Sequence, residues 1–123
     1  MLAQTRPHNK VNAITGFTNA PGGDWTTPTY YSAGNATKCP STNEPDYDVY
    51  DLVFTYDAWN RLVKTMDSDE PRTLGEYVYD ARGFRIQKKE FTAVGTGTHD
   101  ATRDYFYTSS WQCIEEQVSA LLY

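Results

Sequence analysis

Tyr56-Asp57-Ala58-Trp59-Asn60-Arg61-Leu62 and Tyr79-Asp80-Ala81-Arg82-Gly83-Phe84-Arg85 are two copies of one pattern, with Tyr-Asp-Ala starts 23 residues apart. Self-similarity at a near-fixed spacing decides an architecture before any local propensity does. Ahead of each Asp the side chains alternate, with Phe54 and Tyr56 on one face and Val53 and Thr55 on the other; Tyr77 and Tyr79 repeat this. A period of two is the signature of a strand. The Asp that follows is a turn opener, because its carboxylate accepts backbone N–H groups further along the chain. Asn60 and Gly83 each lie four residues after the Tyr. Asn and Gly tolerate the left-handed conformation that closes a short hairpin. An alternating run then returns, Leu62 to Met66 and Arg85 to Phe91. Each copy therefore reads as strand, tight turn, strand.

Weaker copies flank these two. Tyr30-Tyr31-Ser32-Ala33-Gly34-Asn35 begins 26 residues before Tyr56, and Tyr107-Thr108-Ser109-Ser110-Trp111 begins 28 residues after Tyr79. Gly34 again follows its Tyr by four, and Tyr105 alternates with Tyr107. Between copies lie polar stretches rich in turn residues: Cys39 to Asp46 with Pro40 and Pro45, Asp67 to Arg72 with Pro71, and Gly95 to Asp100. These read as solvent loops. The expected strands run near 28–31, 35–38, 50–57, 61–67, 75–80, 84–92, 103–108 and 111–117. The fold class is all-β: an open, twisted antiparallel sheet made as a meander of hairpins.

Residues 1–24 read as a partial repeat and loop, and residues 25–123 as the hairpin array, a single domain. Val11-Asn12-Ala13-Ile14-Thr15 matches the returning half of a copy, compared with Gly34-Asn35-Ala36-Thr37, and its first strand is missing. Asn19 to Asp24 is then a loop. At the other end, Trp111, Ile114, Val118 and Leu121 follow helical spacing with Ser110 as a cap. The repeat instead makes Trp111 to Gln117 a returning strand, and analogy with the earlier copies favours the strand.

Composition narrows the function classes. The chain has 123 residues, 15% aromatic with ten Tyr, and a net charge of −5. Aromatic and β-branched side chains suit a half-buried pleated surface. An acidic balance argues against nucleic acid as a partner. No stretch approaches the ~18 apolar residues of a membrane span. Met1 to Thr15 shows no apolar run of a secretory signal. If the chain closes on itself it buries roughly two-thirds of its unfolded surface. Cys39 and Cys113 permit one disulfide; two part-buried free thiols are the default reading.

The Tyr-Asp-Ala-x-Asn/Gly motifs resemble the YD repeats of bacterial RHS and wall-associated proteins. The resemblance covers about His8 to Gln117. Its style, with His8-Asn9-Lys10-Val11-Asn12-Ala13-Ile14 before the first copy, is similar to the repeat region of large planctomycete RHS-like proteins. Tyr31 and Thr108 depart from the motif where an Asp is expected. The resemblance implies β-hairpins that wind into a spiralling sheet, which in toxin-associated relatives becomes a hollow shell and in teneurins an adhesion scaffold. It implies a secreted or cell-surface setting. It also implies that this chain is a segment of a larger protein, since the self-cleaving region and toxin of such proteins have no counterpart here.

The expected motif residues are Tyr30, Gly34, Asn35, Tyr56, Asp57, Asn60, Arg61, Tyr79, Asp80, Gly83, Arg85 and Tyr107. Tyr30, Tyr56, Tyr79 and Tyr107, one per hairpin, form a stripe if the strands stack in register. Exposed Tyr56, Trp59, Tyr79 and Trp111 are the candidates for stacking on a sugar ring. No catalytic residue, cofactor or metal is expected. Asp57 and Asp80 sit at equivalent turn positions rather than as a catalytic pair. Asp46, Asp48 and Asp51 alternate but lack the Gly and closing Glu of a calcium loop. His8 and His99 stand without metal-ligand spacing. Gly-x-Ser-x-Gly is absent, and Pro21-Gly22-Gly23-Asp24 lacks the Lys of a phosphate loop. Asn35-Ala36-Thr37 fits a glycosylation sequon, but Asn35 reads better as a turn residue. The expected partners are other YD repeats, of the same or another chain, by association of β-edges, and carbohydrate; neither nucleic acid nor a membrane span is expected.

Overall fold

The structure, a computed structural model, describes residues 5–17, 25–42, 49–70, 72–91 and 99–120. It is all-β. Eight strands form one open antiparallel sheet in sequence order: β1 (Thr29–Tyr30), β2 (Ala36–Thr42), β3 (Val49–Tyr56), β4 (Leu62–Asp67), β5 (Arg72–Tyr79), β6 (Arg85–Glu90), β7 (Ala101–Tyr107) and β8 (Cys113–Ala120). All eight overlap the spans that the repeat leads one to expect, and β2 runs four residues beyond its own. The C-terminal segment is strand β8, not the helix that its spacing also allows. No helix long and apolar enough to cross a membrane occurs among the described residues.

The described residues fall into two compact units. The first holds residues 1–54 and 67–70, the second residues 55–66 and 71–123. In the first unit β2 runs on through Pro40 to Thr42, where the proline-containing stretch reads as loop. The physical reason lies in register. β1 faces β2 only as far as Lys38, opposite Thr29. Pro40 pairs with Asp51 of β3 on one side, and its missing N–H falls beyond the reach of β1, as proline in a sheet requires. Asp51 is buried. Its carboxylate meets Lys38 Nζ at 2.5 Å and accepts from Thr26 Oγ1 at 3.2 Å. Burial pushes the Cys39 thiol up, and the Asp51 charge adds to it. Cys39 and Cys113 are both free thiols. Of the alternating carboxylates, Asp46 and Asp48 lie outside the described residues, as do Asn19, Ala20 and the Pro21 to Asp24 segment, Pro45, Gly95 to Thr98, and Leu121.

The Asp67 to Arg72 loop is shorter than its polarity suggests. Asp67 ends β4 and Arg72 begins β5. Asp67 is buried, and its carboxylate accepts the Asp69 N–H at 3.0 Å.

In the second unit β5 to β8 pair in unbroken succession. One row runs Val78, Gln87, Asp104, Gln117 across the four strands, and Gln87 Nε2 donates to Asp104 at 2.8 Å. Arg103 of β7 bridges Glu90 of β6 at 3.0 Å and Glu116 of β8 at 2.5 Å. Among the described residues no apolar side chain is fully buried; the buried residues are Pro28, Gly75 and the polar Asp51, Thr65 and Asp67. Two-thirds burial would need a closed sheet, and this sheet is open, with β8 at one end of the strand order.

Candidate functional site

The turns carry the repeat. Asp57 Oδ1 accepts the N–H groups of Trp59 and Arg61, both at 2.9 Å. Asp80 Oδ1 accepts those of Arg82 and Phe84, both at 2.9 Å. In each turn the opener's N–H donates to the carbonyl four residues on, and its carbonyl accepts from the N–H three residues on. That third residue adopts positive φ, 62° at Asn60 and 93° at Gly83. This is a three-residue hairpin loop, a turn closed by a left-handed residue.

The same backbone bonds recur at three further places, two of them with a side-chain acceptor as well. Thr108 Oγ1 accepts from Ser110 and Gln112 at 3.2 Å each, with Trp111 at φ 66°. The Tyr31 turn has the same backbone bonds with Gly34 at φ 86°, and Asn35 Nδ2 donates to the Tyr31 hydroxyl. Asn9 Oδ1 accepts from Val11 at 3.0 Å and Ala13 at 2.9 Å, with Asn12 at φ 64°. The five positive-φ residues of the described chain are thus one per turn. The N-terminal copy is more complete than its sequence reads. Asn9 opens a whole turn, and His8 bridges Ile14 across it. Asn12 therefore matches Gly34, one position from the alignment that puts it beside Asn35. The missed signal is the Asn9-x-x-Asn12 spacing, the same as Asp57-x-x-Asn60.

Three of these hairpins share a bulge as well. Tyr30 faces Ala36 while Thr29 faces Lys38; Tyr79 faces Arg85 while Val78 faces Gln87; Tyr107 faces Cys113 while Phe106 faces Glu115. Thr37, Ile86 and Ile114 are the extra residues, each the sixth after its opener.

The tyrosine of one hairpin reaches the backbone of the hairpin before it. The Tyr79 hydroxyl donates to the Leu62 carbonyl at 2.8 Å, and the Tyr107 hydroxyl to the Arg85 carbonyl at 2.8 Å. The Tyr30 hydroxyl accepts the Ile14 N–H at 3.2 Å. Leu62, Arg85 and Ile14 are each the fifth residue after an opener. Burial pushes the Tyr79 and Tyr107 hydroxyls up in pKa. Tyr56, half-buried at the end of β3, is the fourth of the series.

Other side chains interleave with these rings. The Arg61 guanidinium lies 5.0 Å from the Tyr79 ring and 5.1 Å from Trp59. It also holds Asp57 at 2.7 Å and donates to the Asp80 carbonyl at 2.8 Å. Burial pushes the Asp57 carboxyl up, but the hydrogen bonds from Arg61 and Trp59 outweigh it and hold it below its ordinary value. Phe84, at the position equivalent to Arg61, lies 5.5 Å from Tyr107 and stacks on Trp111 at 4.1 Å. Arg82 sits 4.6 Å from Trp111, and Arg85 lies over the rings of Tyr77 and Tyr105.

A cleft of about 470 Å³ opens between the β3–β4 and β5–β6 turns, lined by Trp59, Arg61, Ala81, Arg82 and Gly83. A similar one of about 520 Å³ lies between the Asn9 and Tyr31 turns. Of the four aromatics read as sugar-stacking candidates, Trp59 alone lines the first cleft, and it is 75% exposed. Tyr79 has its hydroxyl engaged and Arg61 over its ring; Trp111 lies against Phe84 and Arg82. Phe84 and the left-handed Trp111 escaped the sequence reading. Among the described residues no group of three or more His, Cys, Asp and Glu side chains is placed to hold a metal. Neither a protein-family model nor a curated protein sequence matches the chain.

Proposed function

We propose that the chain is a non-catalytic structural and interaction module, a YD (RHS) repeat segment of a larger cell-surface or toxin-encapsulating protein. One observation carries the reading: at Tyr79-Asp80, two consecutive side chains do two jobs. The Asp satisfies its own turn, and the Tyr ties that turn to the hairpin before it. A sheet built this way grows by adding hairpins, each depending on its neighbour. Its end strand leaves unpaired backbone groups that recruit further strands. Light scattering on a concentration series tests it. Self-association, or capture of hairpins of the same kind, is expected. A folded chain that stays monomeric at every concentration and captures no hairpin contradicts it.

The exposed Trp59 beside Arg61 and Arg82 favours a second reading, a carbohydrate-binding surface. Glycan-array binding that disappears in Trp59→Ala, with the circular dichroism spectrum unchanged, would support it.

A further inference from the structure

β8 ends the strand order, and every residue from Trp111 to Ala120 is exposed. We infer that this edge docks a basic, tyrosine-ended β-strand, selected by Glu115 and Glu116. The inference rests on the module reading and adds the chemistry of the partner.

The register follows from the strands already paired. In β6–β7, Gln87 faces Asp104 and Lys88 faces Arg103. Gln87 and Lys88 are the seventh and eighth residues after the opener Asp80. Asp104 and Arg103 lie three and four residues before Tyr107. Tyr107 then reaches the Arg85 carbonyl. Glu115 and Glu116 are the seventh and eighth residues after the opener Thr108, and Cys113 takes the place of Arg85. A strand that docks on β8 by the same rule sets its Tyr hydroxyl on the Cys113 carbonyl. Its residues three and four before that Tyr face Glu115 and Glu116.

Charge then chooses the occupant. Glu115 accepts from Gln117 Nε2 at 2.8 Å and has no cationic partner among the described residues. Glu116 holds Arg103 on one flank only. Opposite charges directly across a strand pair stabilise it, and like charges destabilise it. The chain's own tyrosine-ended strands supply no cation there: Glu76 and Asp104 lie three residues before Tyr79 and Tyr107, and the neutral Thr27 and Val53 three before Tyr30 and Tyr56. Two β8 edges paired antiparallel at Glu115 and Glu116 set like charges opposite each other. The fitting partner carries Lys or Arg three residues before its Tyr, and adds to the sheet as a further strand.

The test uses the full chain and fluorescent peptides with the sequence of residues 72–91, read by anisotropy at low salt. The Glu76→Lys peptide is expected to bind at least about tenfold more tightly than the parent peptide, and Tyr79→Phe within it to weaken binding severalfold. E115K/E116K protein should reverse the charge preference, and E115Q/E116Q should abolish it; circular dichroism confirms that both variants fold. Equal binding of the two peptides, or a preference that survives E115K/E116K, overturns the inference while leaving the module reading standing. Binding of no peptide of either charge overturns both.

Discussion

Exchanging the turn openers of two hairpins tests whether the Asp acts as a turn acceptor. Asp80 and Thr108 hold the same pair of N–H groups, at 2.9 Å through a carboxylate and at 3.2 Å through a hydroxyl. A neutral hydrogen bond contributes about 1 kcal/mol net, and one to an ionised acceptor roughly twice that. The turns are solvent-facing, so the lower half of that range applies. Thr108→Asp is expected to stabilise its hairpin by about 0.5–1 kcal/mol, and Asp80→Thr to cost about the same. Thr108→Val, which removes the acceptor, should cost about 1 kcal/mol. Native-state hydrogen exchange resolves the hairpin concerned: the Ser110 and Gln112 amides should slow in Thr108→Asp, and those of Arg82 and Phe84 quicken in Asp80→Thr. Unchanged exchange in Thr108→Asp, or faster exchange, would refute the assignment. The carboxylate would then be a solvated surface charge.

Other consequences follow from the same geometry. Tyr79→Phe removes the bond to the Leu62 carbonyl and should cost about 0.5–1.5 kcal/mol in urea denaturation, whereas Val78→Ala, on an exposed side chain of the same strand, should cost less. Trp111 pairs an unfavourable φ of 66° with stacking on Phe84. Trp111→Ala loses the stack and keeps the strain, so Trp111→Gly should be the more stable variant by about 1 kcal/mol, against the usual order of these residues in a strand. Acid should weaken the fold through Asp57 and Glu90. Hydrogen bonds from Lys88 and then Arg103 hold the Glu90 carboxyl below its ordinary value, as those of Arg61 and Trp59 do for Asp57. Groups whose folded pKa is lowered contribute stability that is present above their ordinary values, near 3.8 and 4.5, and is lost as pH falls through the folded ones. A pH series of urea midpoints should therefore decline below about pH 4.5, and Arg61→Gln with Arg103→Gln should flatten that decline.

The fold was legible because its two signals are local. Alternation and its recurrence in each copy gave the strands, and Asp-x-x-Asn or Asp-x-x-Gly gave the two central turns. Where the opener changes to Asn9 or Thr108 the motif fades from view, yet the oxygen acceptor and its spacing persist. Trp111 shows why residue type alone was insufficient. Trp is a poor left-handed residue, and its place in the turn rests on Phe84 and Arg82, which a neighbouring hairpin supplies. Pro40 misled in the opposite direction. It reads as a breaker, but a two-residue β1 leaves its side of β2 uncovered. The aromatic series was legible as a periodicity, while its chemistry was not. Nothing in a row of tyrosines announces that the hydroxyls of Tyr30, Tyr79 and Tyr107 serve the backbone of the preceding hairpin.

The adjacency of Tyr and Asp has a physical logic. The Asp acts within a few residues, so each turn forms without outside help. The Tyr, one position earlier, acts 17 or 22 residues back along the chain. Since its neighbour Asp fixes the turn, the ring is set at a defined end of the strand, and its hydroxyl meets the same carbonyl in the preceding hairpin. Local order is thus converted into register between hairpins by two consecutive side chains. Because no apolar side chain is fully buried among the described residues, these hydroxyl and guanidinium contacts carry a share of the cohesion that a closed domain assigns to its core. Removing the Tyr79 and Tyr107 hydroxyls together should therefore uncouple neighbouring hairpins while leaving their turns protected, seen as exchange that quickens in β4 to β7 but not at the Arg82 and Phe84 amides. Equal quickening of strands and turns would mean that the hairpins have no independent order for the tyrosines to align.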